Sequence, residues 1–246
     1  MRRLCLLVSL ASLAGCVSYS SFKEARALDP GTLRLDVAPA FIVTRPKIGA
    51  TAFLAGGRPS SGDTSEQPHD GPVIELQLRY GVVRGFDLGV KTSLTSAELN
   101  ATIEVFRGRS VEVALAPAAQ VALGTNGDDE GWKIGLFKLP VLVGVPFGDR
   151  SQHSLVLGLA LAKSVGGGEG KNSGYAADAL LGGASIGVSL LAGESLRVAP
   201  EIAVYTPLSG KGLALPGDVL RVSPDVGFGR PVLVQAGVAF AFGSGR

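Results

Sequence analysis

Apolar side chains recur at every second position along most of this chain, and this pattern constrains the fold more than any other feature of the sequence. In residues 32–43, Leu33 and Leu35 fall on one face, whereas Arg34 and Asp36 fall on the other. Successive side chains of a strand point to opposite faces of a sheet, so a period of two predicts a β-strand with one apolar face. Beyond the first fifteen residues, no helical period competes with this alternation.

The same alternation predicts strands along the rest of the chain, at 72–81, 85–93, 98–106, 110–123, 132–147, 154–162, 176–191, 195–206 and 231–242. Short turns between them alternate with longer loops rich in Gly, Asp and Ser, which is typical of outer-membrane barrels. We therefore predict an all-β fold, an up-and-down antiparallel transmembrane β-barrel. Residues 218–229 also alternate; with 207–230 read as one external loop the count is about ten strands, and twelve is the alternative. With ten strands, both chain ends are expected on the periplasmic side.

One predicted strand changes phase along its length. Ile134 and Leu136 share a face, but Val141 and Val143 have the opposite parity. A β-bulge near Lys138 would restore a single apolar face and turn that lysine inward. The sequence thus predicts an irregular strand at this position.

Charged residues within the predicted strands lie on the face opposite the apolar stripe. A lysine or arginine facing lipid at the bilayer midplane costs about 2–4 kcal/mol, so these side chains are expected to point into the barrel. There they need partners, because an unpaired buried charge is expensive. The predicted luminal charge network comprises Arg34, Asp36, Glu75, Arg79, Asp87, Lys91, Glu104, Glu112, Lys133, Arg197 and Glu201. A soluble sandwich with the same charges in water is the alternative.

Aromatic side chains are expected to form only a thin girdle at the membrane interfaces. Full girdles are typical of transmembrane barrels, and the low aromatic content weakens that expectation here. The predicted members are Phe41, Tyr80, Phe86, Trp132, Phe147, Tyr205, Phe240 and Phe242.

The first fifteen residues have the organisation of an export signal. A positive start, Met1 to Arg3, precedes an apolar run over residues 4–13 that is too short to span a bilayer. That run ends in Leu13-Ala14-Gly15-Cys16, which resembles the cleavage box of bacterial lipoprotein signal peptides. The resemblance implies cleavage before Cys16, a covalent lipid anchor on it, and, with Val17 rather than aspartate next, sorting to the outer membrane.

This organisation divides the chain into a signal peptide at 1–15, an acylated tether at 16–31 and a barrel domain at 32–246. Removing Arg2 and Arg3 from 23 basic residues leaves 21, which equals the 21 acidic ones, so no basic surplus is available for nucleic acid. Cys5 leaves with the signal and Cys16 carries lipid, so no disulfide framework is expected.

Several short motifs resemble catalytic or ligand-binding sites, but a structural role explains each of them better than a catalytic or binding role. Residues 183–187 match G-x-S-x-G but lie within a predicted strand, not at a strand-to-helix turn. The histidines, His69 and His153, are isolated. Residues 166–172 lack features of a phosphate loop, and 126–131 lack the glutamate that completes a calcium loop. We predict no catalytic residue, metal site or cofactor.

Several short motifs also resemble an uncharacterised family of outer-membrane barrel lipoproteins. They are Glu75, Arg79-Tyr80-Gly81 and Phe86-Asp87-Leu88-Gly89, with the leader Ala25-Arg26-Ala27-Leu28-Asp29-Pro30-Gly31 and the closing Val238–Phe242. The resemblance covers nearly the whole mature chain. It implies a barrel and brings no reaction with it.

Three functions remain open at this point. The first is a lipid-anchored outer-membrane barrel, exported through the secretory pathway, with a structural or interaction role or a minor narrow pore. Its partners would be outer-membrane lipid and an unidentified solute or envelope protein. The second is a periplasmic β-sandwich or lipocalin-like lipoprotein that binds an apolar ligand. The third is a membrane-embedded lipid-modifying hydrolase, for which no nucleophile, base and orienting group can be assembled.

Overall fold

Strands make up almost all of the regular structure in the computed structural model, which describes residues 18–45, 71–126, 130–149, 152–168, 175–215, 218–220 and 232–243. The strands are β1 (Leu33–Arg45), β2 (Gly71–Val83), β3 (Phe86–Thr92), β4 (Ser96–Arg107), β5 (Glu112–Leu115), β6 (Ala118–Asn126), β7 (Glu130–Phe147), β8 (His153–Gly168), β9 (Tyr175–Leu191), β10 (Leu196–Leu215), β11 (Asp218–Leu220) and β12 (Val232–Gly243). No helix among these residues is long and apolar enough to span a bilayer.

The sheet closes on itself because β12 pairs antiparallel with both β1 and β10. Every other barrel strand pairs with its neighbours in chain order. β5 and β6 together form one barrel strand between β4 and β7, interrupted at Ala116 and Pro117. In the described residues β11 pairs only with the far end of β10, outside the closed cylinder. The predicted antiparallel barrel of ten strands is therefore confirmed, and the sandwich alternative is wrong.

The outward face of the barrel is apolar, as the alternation predicts. Leu157, Leu159 and Leu161 of β8 are 45%, 69% and 53% exposed, whereas Ala162 and Ser164 on the inward face are buried. The large exposed apolar side chains recur in this way around the barrel. A soluble barrel would bury this face and expose the polar one.

β7 is regular, so the predicted bulge is wrong. It pairs with β6 and β8 without a register shift. Ile134 and Leu136 point inward and are buried, whereas Val141 is 39% exposed on the outside. Lys138 does point inward, but on the ordinary alternation of the strand. Lys133 is consequently exposed on the outer face, so its predicted place in the luminal charge network is wrong.

The two ends of the barrel differ. One end, which we call the turn end, carries the short connections that include Gly85, Gly108 and Gly193. At the opposite end, which we call the loop end, β1 ends at Arg45 and β2 begins at Gly71. In the predicted topology the turn end faces the periplasm.

Residues 18–28 run through the interior of the barrel, and we call them the luminal segment; Pro30 and Gly31, which follow it, are exposed. At the turn end, Gly31 N–H donates to the Gly81 carbonyl (2.8 Å). At the loop end, Lys91 Nζ donates to Ser18 Oγ (2.7 Å). The described part of the predicted tether therefore fills the interior of the barrel. Ser18 lies at the loop end, whereas β12 ends at Gly243 beside Arg34 at the turn end. The expectation that both ends lie on one side therefore does not hold for the described residues.

Candidate functional site: the filled lumen

The luminal segment forms no regular secondary structure, so its backbone must find hydrogen-bond partners elsewhere. Side chains of the barrel wall supply them. Gln235 accepts from the N–H groups of Tyr19 (2.7 Å) and Ser20 (3.1 Å) through Oε1. Its Nε2 donates to Ser20 Oγ (3.0 Å), and Ser20 Oγ donates to Glu75 Oε2 (3.1 Å). One buried wall residue thus holds two consecutive peptide groups of the segment.

Glu201 fixes a sharp bend in the segment. Its carboxylate accepts from the N–H groups of Ser21 and Phe22, both at 2.8 Å, and from Ser21 Oγ (3.1 Å). Phe22 has a φ of 44°, in the left-handed region that a bulky residue rarely adopts. Such a conformation costs on the order of 1–3 kcal/mol and persists only where its surroundings enforce it. The three bonds to Glu201 and burial of the phenyl ring provide that enforcement.

Two wall lysines hold the segment at the loop end. Lys138 Nζ donates to the Ser18 carbonyl (3.0 Å) and lies 2.6 Å from Glu98 Oε2. Lys91 Nζ donates to the Ser20 carbonyl (3.0 Å) and lies 3.4 Å from Glu98 Oε2 and 3.7 Å from Glu75 Oε2. Each ammonium therefore joins a wall carboxylate to the main chain of the segment.

Gln120 also pairs with the segment at this end. With its amide oriented to satisfy its neighbours, it donates to the Ser18 carbonyl (3.1 Å) and accepts from the Ser18 N–H (3.0 Å). This is the pairing that a strand neighbour would provide. In that orientation Gln120 also accepts from Ser96 Oγ (3.0 Å).

A fully buried ion pair anchors the segment near the turn end. Arg79 and Asp87 have no exposed side-chain surface and approach to 2.5 Å. Asp87 also accepts from the Leu28 N–H (3.0 Å). Lys23 of the segment reaches the neighbouring strand β4, where its Nζ donates to the Ala101 carbonyl (2.9 Å). Segment and wall thus form one continuous polar network.

Glu24 joins the remaining charges at this end. It lies 3.1 Å from Arg197 and 3.4 Å from Arg34, and it accepts a short hydrogen bond from Ser189. Arg34 in turn pairs with Asp36 at 2.8 Å. The two wall arginines would lack this partner without the segment.

Apolar side chains of the segment pack into clefts that small wall residues leave open. Tyr19 packs on Tyr205 with ring centroids 5.2 Å apart. The Tyr205 ring lies directly over Gly183, where a Cβ would collide with it. Phe22 lies against Gly237, where a Cβ would meet its Cζ at 2.8 Å. The wall and the segment are therefore complementary in shape as well as in charge.

Tyr205 is consequently not part of the outward girdle that the sequence predicts. It is buried with Ile134, Leu136 and Leu181 in an apolar cluster inside the loop end. Burial against Tyr19 removes its apolar surface from water, which is the physical reason for the inward orientation.

Most residues of the predicted network lie on the inward face. They are Arg34, Asp36, Glu75, Arg79, Asp87, Lys91, Glu104, Glu112, Arg197 and Glu201. Lys133 lies outside, and Cys16 lies beyond the described residues. The predicted network omitted the inward-facing Glu98 and the amides of Gln77, Asn100, Gln120 and Gln235, and the sequence analysis missed the whole luminal segment.

The motifs that resemble catalytic sites are parts of the barrel wall. Residues 183–187 lie within β9, where Ser185 packs against Gly158 of β8. His153 Nδ1 accepts from the Leu191 N–H (3.1 Å). His69 lies outside the described residues. No group of three or more metal-ligating side chains occurs in the part of the chain that the structure describes.

One of the similar solved structures supports the fold. The outer membrane protease OmpT of Escherichia coli has a TM-score of 0.51 and 9% identity, with 91% of this chain and 100% of that chain covered. Neisserial surface protein A has a TM-score of 0.36 and 11% identity, covering 84% and 95%. Ail, the attachment invasion locus protein of Yersinia pestis, has a TM-score of 0.36 and 7% identity, covering 87% and 99%. No protein-family model and no curated protein matches the sequence.

Proposed function

We propose that this chain is a lipid-anchored β-barrel of the bacterial outer membrane that is closed by its own luminal segment and serves a structural or interaction role in the envelope. The observation that carries the proposal is the polar lumen occupied by residues 18–28. Outer-membrane lipid is its first partner, both around the barrel and as the covalent anchor on Cys16. Export through the secretory pathway follows from the signal at 1–15.

The distribution of polarity favours a membrane environment. Lipid can cover the exposed apolar outer face, and the charged inner face then lies away from it. A lipocalin-like carrier of an apolar ligand would need the reverse distribution, with an open apolar interior. Here the interior carries ion pairs such as Arg79–Asp87 and is occupied by the chain itself.

The filled lumen weighs against a pore, and the placement of His153 weighs against a hydrolase. A solute would have to displace a segment that is held by hydrogen bonds from several wall side chains. A hydrolase needs a nucleophile, a base and an orienting group within reach of one another. His153 instead uses Nδ1 to accept a backbone N–H at the end of β9.

Membrane insertion predicts that the cost of an outward arginine depends on its depth. Leu157→Arg in the middle of β8 is expected to destabilise the barrel by about 2–4 kcal/mol, whereas Val165→Arg near the loop end is expected to cost about 0–1 kcal/mol. Both side chains lie on the outward face of the same strand. Urea unfolding in lipid bilayers measures the difference. Equal costs would contradict a membrane-spanning barrel.

The lipid anchor has its own test at Cys16. Only a thiol can form the thioether to the diacylglyceryl group, so Cys16→Ser is expected to abolish fatty-acid labelling and to leave uncleaved precursor. Metabolic labelling with a radioactive fatty acid and the size of the chain measure both effects. Cys5→Ser is the control, because Cys5 lies within the signal. Retained label in Cys16→Ser would refute the anchor.

A further inference from the structure

At the loop end, the rim of the barrel is low between β3 and β4. The turn between β3 and β4 occupies only residues 93–95. Leu76 of β2 pairs with Thr92, so β2 continues for five residues beyond β3. Ala122 of β6 pairs with Ser96, so β6 continues for four residues beyond β4. At about 3.4 Å per residue the rim is lower here by roughly 14–17 Å along the strands. We call residues 92–96 the notch.

The luminal segment reaches the loop end against the inner side of the notch. Ser18 is held by Lys91, one residue below the notch, and by Gln120, which pairs with Glu98 of β4. From Leu28 to Ser18 the partners of the segment progress from Asp87 at the turn end of β3 to Lys91 at its loop end. Ser18, the first described residue, therefore lies against the wall below the notch, whereas the ring of Tyr19 packs against Tyr205 of the high wall of β8 to β10.

The outer side of the notch is apolar up to its tip. Leu94, at the centre of the turn, is 67% exposed, and Val90 and Leu99 below it are 54% and 62% exposed. Leu94 therefore extends the outward apolar face of Val90 and Leu99 to the tip of the turn. Burial of such a side chain in lipid is favourable by about 1.5–3 kcal/mol, so the notch is suited to the membrane boundary.

Cys16 precedes Ser18 by two residues, so their Cα atoms lie no more than about 7.6 Å apart along the chain. We propose that the lipid on Cys16 passes over the notch and enters the outer leaflet, so that the anchor lies at the cell-surface side of the membrane. This inference rests on the proposed function. It replaces the periplasmic position of the N-terminal end that the ten-strand topology predicts, because the described end of the segment lies at the loop end.

Site-specific thiol labelling tests this inference. The mature protein has no free thiol if Cys16 carries lipid, so a single introduced cysteine is the only reactive group. Val17→Cys is compared with Asp178→Cys, an exposed position near the loop end of β9, and with Pro30→Cys and Ser110→Cys at the turn end. Each variant is treated with a membrane-impermeant maleimide, on intact cells and after lysis. Fatty-acid labelling verifies that each variant is acylated.

We expect Val17→Cys to react on intact cells to the same extent as Asp178→Cys, and Pro30→Cys and Ser110→Cys to react only after lysis. Reaction of Val17→Cys only after lysis would overturn the inference, as would its protection in both conditions. The heat-dependent gel mobility of each variant reports the folded barrel. If that shift persists while Val17→Cys follows Pro30→Cys, the outer-leaflet anchor fails and the membrane barrel stands. If all four variants react only after lysis and the shift is lost, the proposed function itself fails.

Discussion

Replacing Arg79 with alanine is expected to destabilise the barrel by about 3–5 kcal/mol, because it leaves the Asp87 carboxylate buried without its partner. Neither side chain has any exposed surface, so water cannot take over the role of the guanidinium. The Leu28 N–H and the remaining wall groups solvate Asp87 only in part. The fraction of heat-shifted, folded protein against urea concentration measures the change in the free energy of unfolding.

An exposed ion pair provides the matched control. Lys163 and Asp178 pair on the outside with 47% and 63% of their side-chain surfaces exposed, so Lys163→Ala is expected to cost less than about 1 kcal/mol. The double variant Arg79→Met with Asp87→Leu is expected to recover most of the loss, since it removes both charges together. If Arg79→Ala costs no more than Lys163→Ala, the pair does not lie in a closed, water-poor lumen.

Deleting residues 18–28 is expected to convert a closed barrel into a conducting one. The wall charges that face the segment, Glu201 and Lys91 among them, would then line a water-filled passage. In planar lipid bilayers the full mature chain is expected to give no discrete current steps and the deleted chain to give them. The same deletion is expected to lower the urea midpoint, because the apolar contacts of Tyr19 and Phe22 are lost.

A milder variant keeps this prediction testable if the deleted chain does not refold. Glu201→Ala removes the acceptor for two backbone N–H groups and one hydroxyl at the bend. It is expected to give intermittent current steps, whereas Glu194→Ala in the exposed β9–β10 turn is expected to give none. Steady conductance of the unaltered chain, equal to that of the deleted one, would show that residues 18–28 do not close the lumen.

The strand faces could be predicted from sequence because a period of two is a local property of each strand. In β1, the alternation of Leu33, Arg34, Leu35 and Asp36 assigns each side chain to a face without any knowledge of neighbours. The charge of a side chain then indicates which face points inward. The closed barrel and its ten strands follow from repeating this assignment along the chain.

The assignment of strand faces from the alternation was wrong where an apolar side chain faces inward. Ile134, Leu136 and Tyr205 are apolar and yet luminal, because Tyr19 packs against them. An apolar residue was assumed to face lipid, and that assumption required a bulge in β7 and placed Lys133 inside. The register of β7 is regular. The inward apolar side chains are therefore explained by the luminal segment that packs on them and not by an irregular strand.

The luminal segment could not be predicted from pattern, since it has neither a period nor regular hydrogen bonds of its own. Two features of the sequence pointed to it. Residues 18–28 contain Tyr19, Phe22 and Leu28 and lack the glycines typical of a flexible tether. The predicted inward faces also carry amides, such as Gln120 and Gln235, that the charge network does not need.

The central claim is that the luminal segment lies inside the barrel, and a cross-link within the folded protein tests it most directly. Ser20→Cys with Gln235→Cys places two thiols where the native side chains are 3.0 Å apart. In membranes, a short bifunctional thiol reagent is expected to join them and to alter the mobility of the denatured chain. Ser20→Cys with Ser154→Cys, at the turn end, is expected to remain unjoined. Cross-linking of neither pair in a barrel that retains its heat-dependent shift would contradict the account.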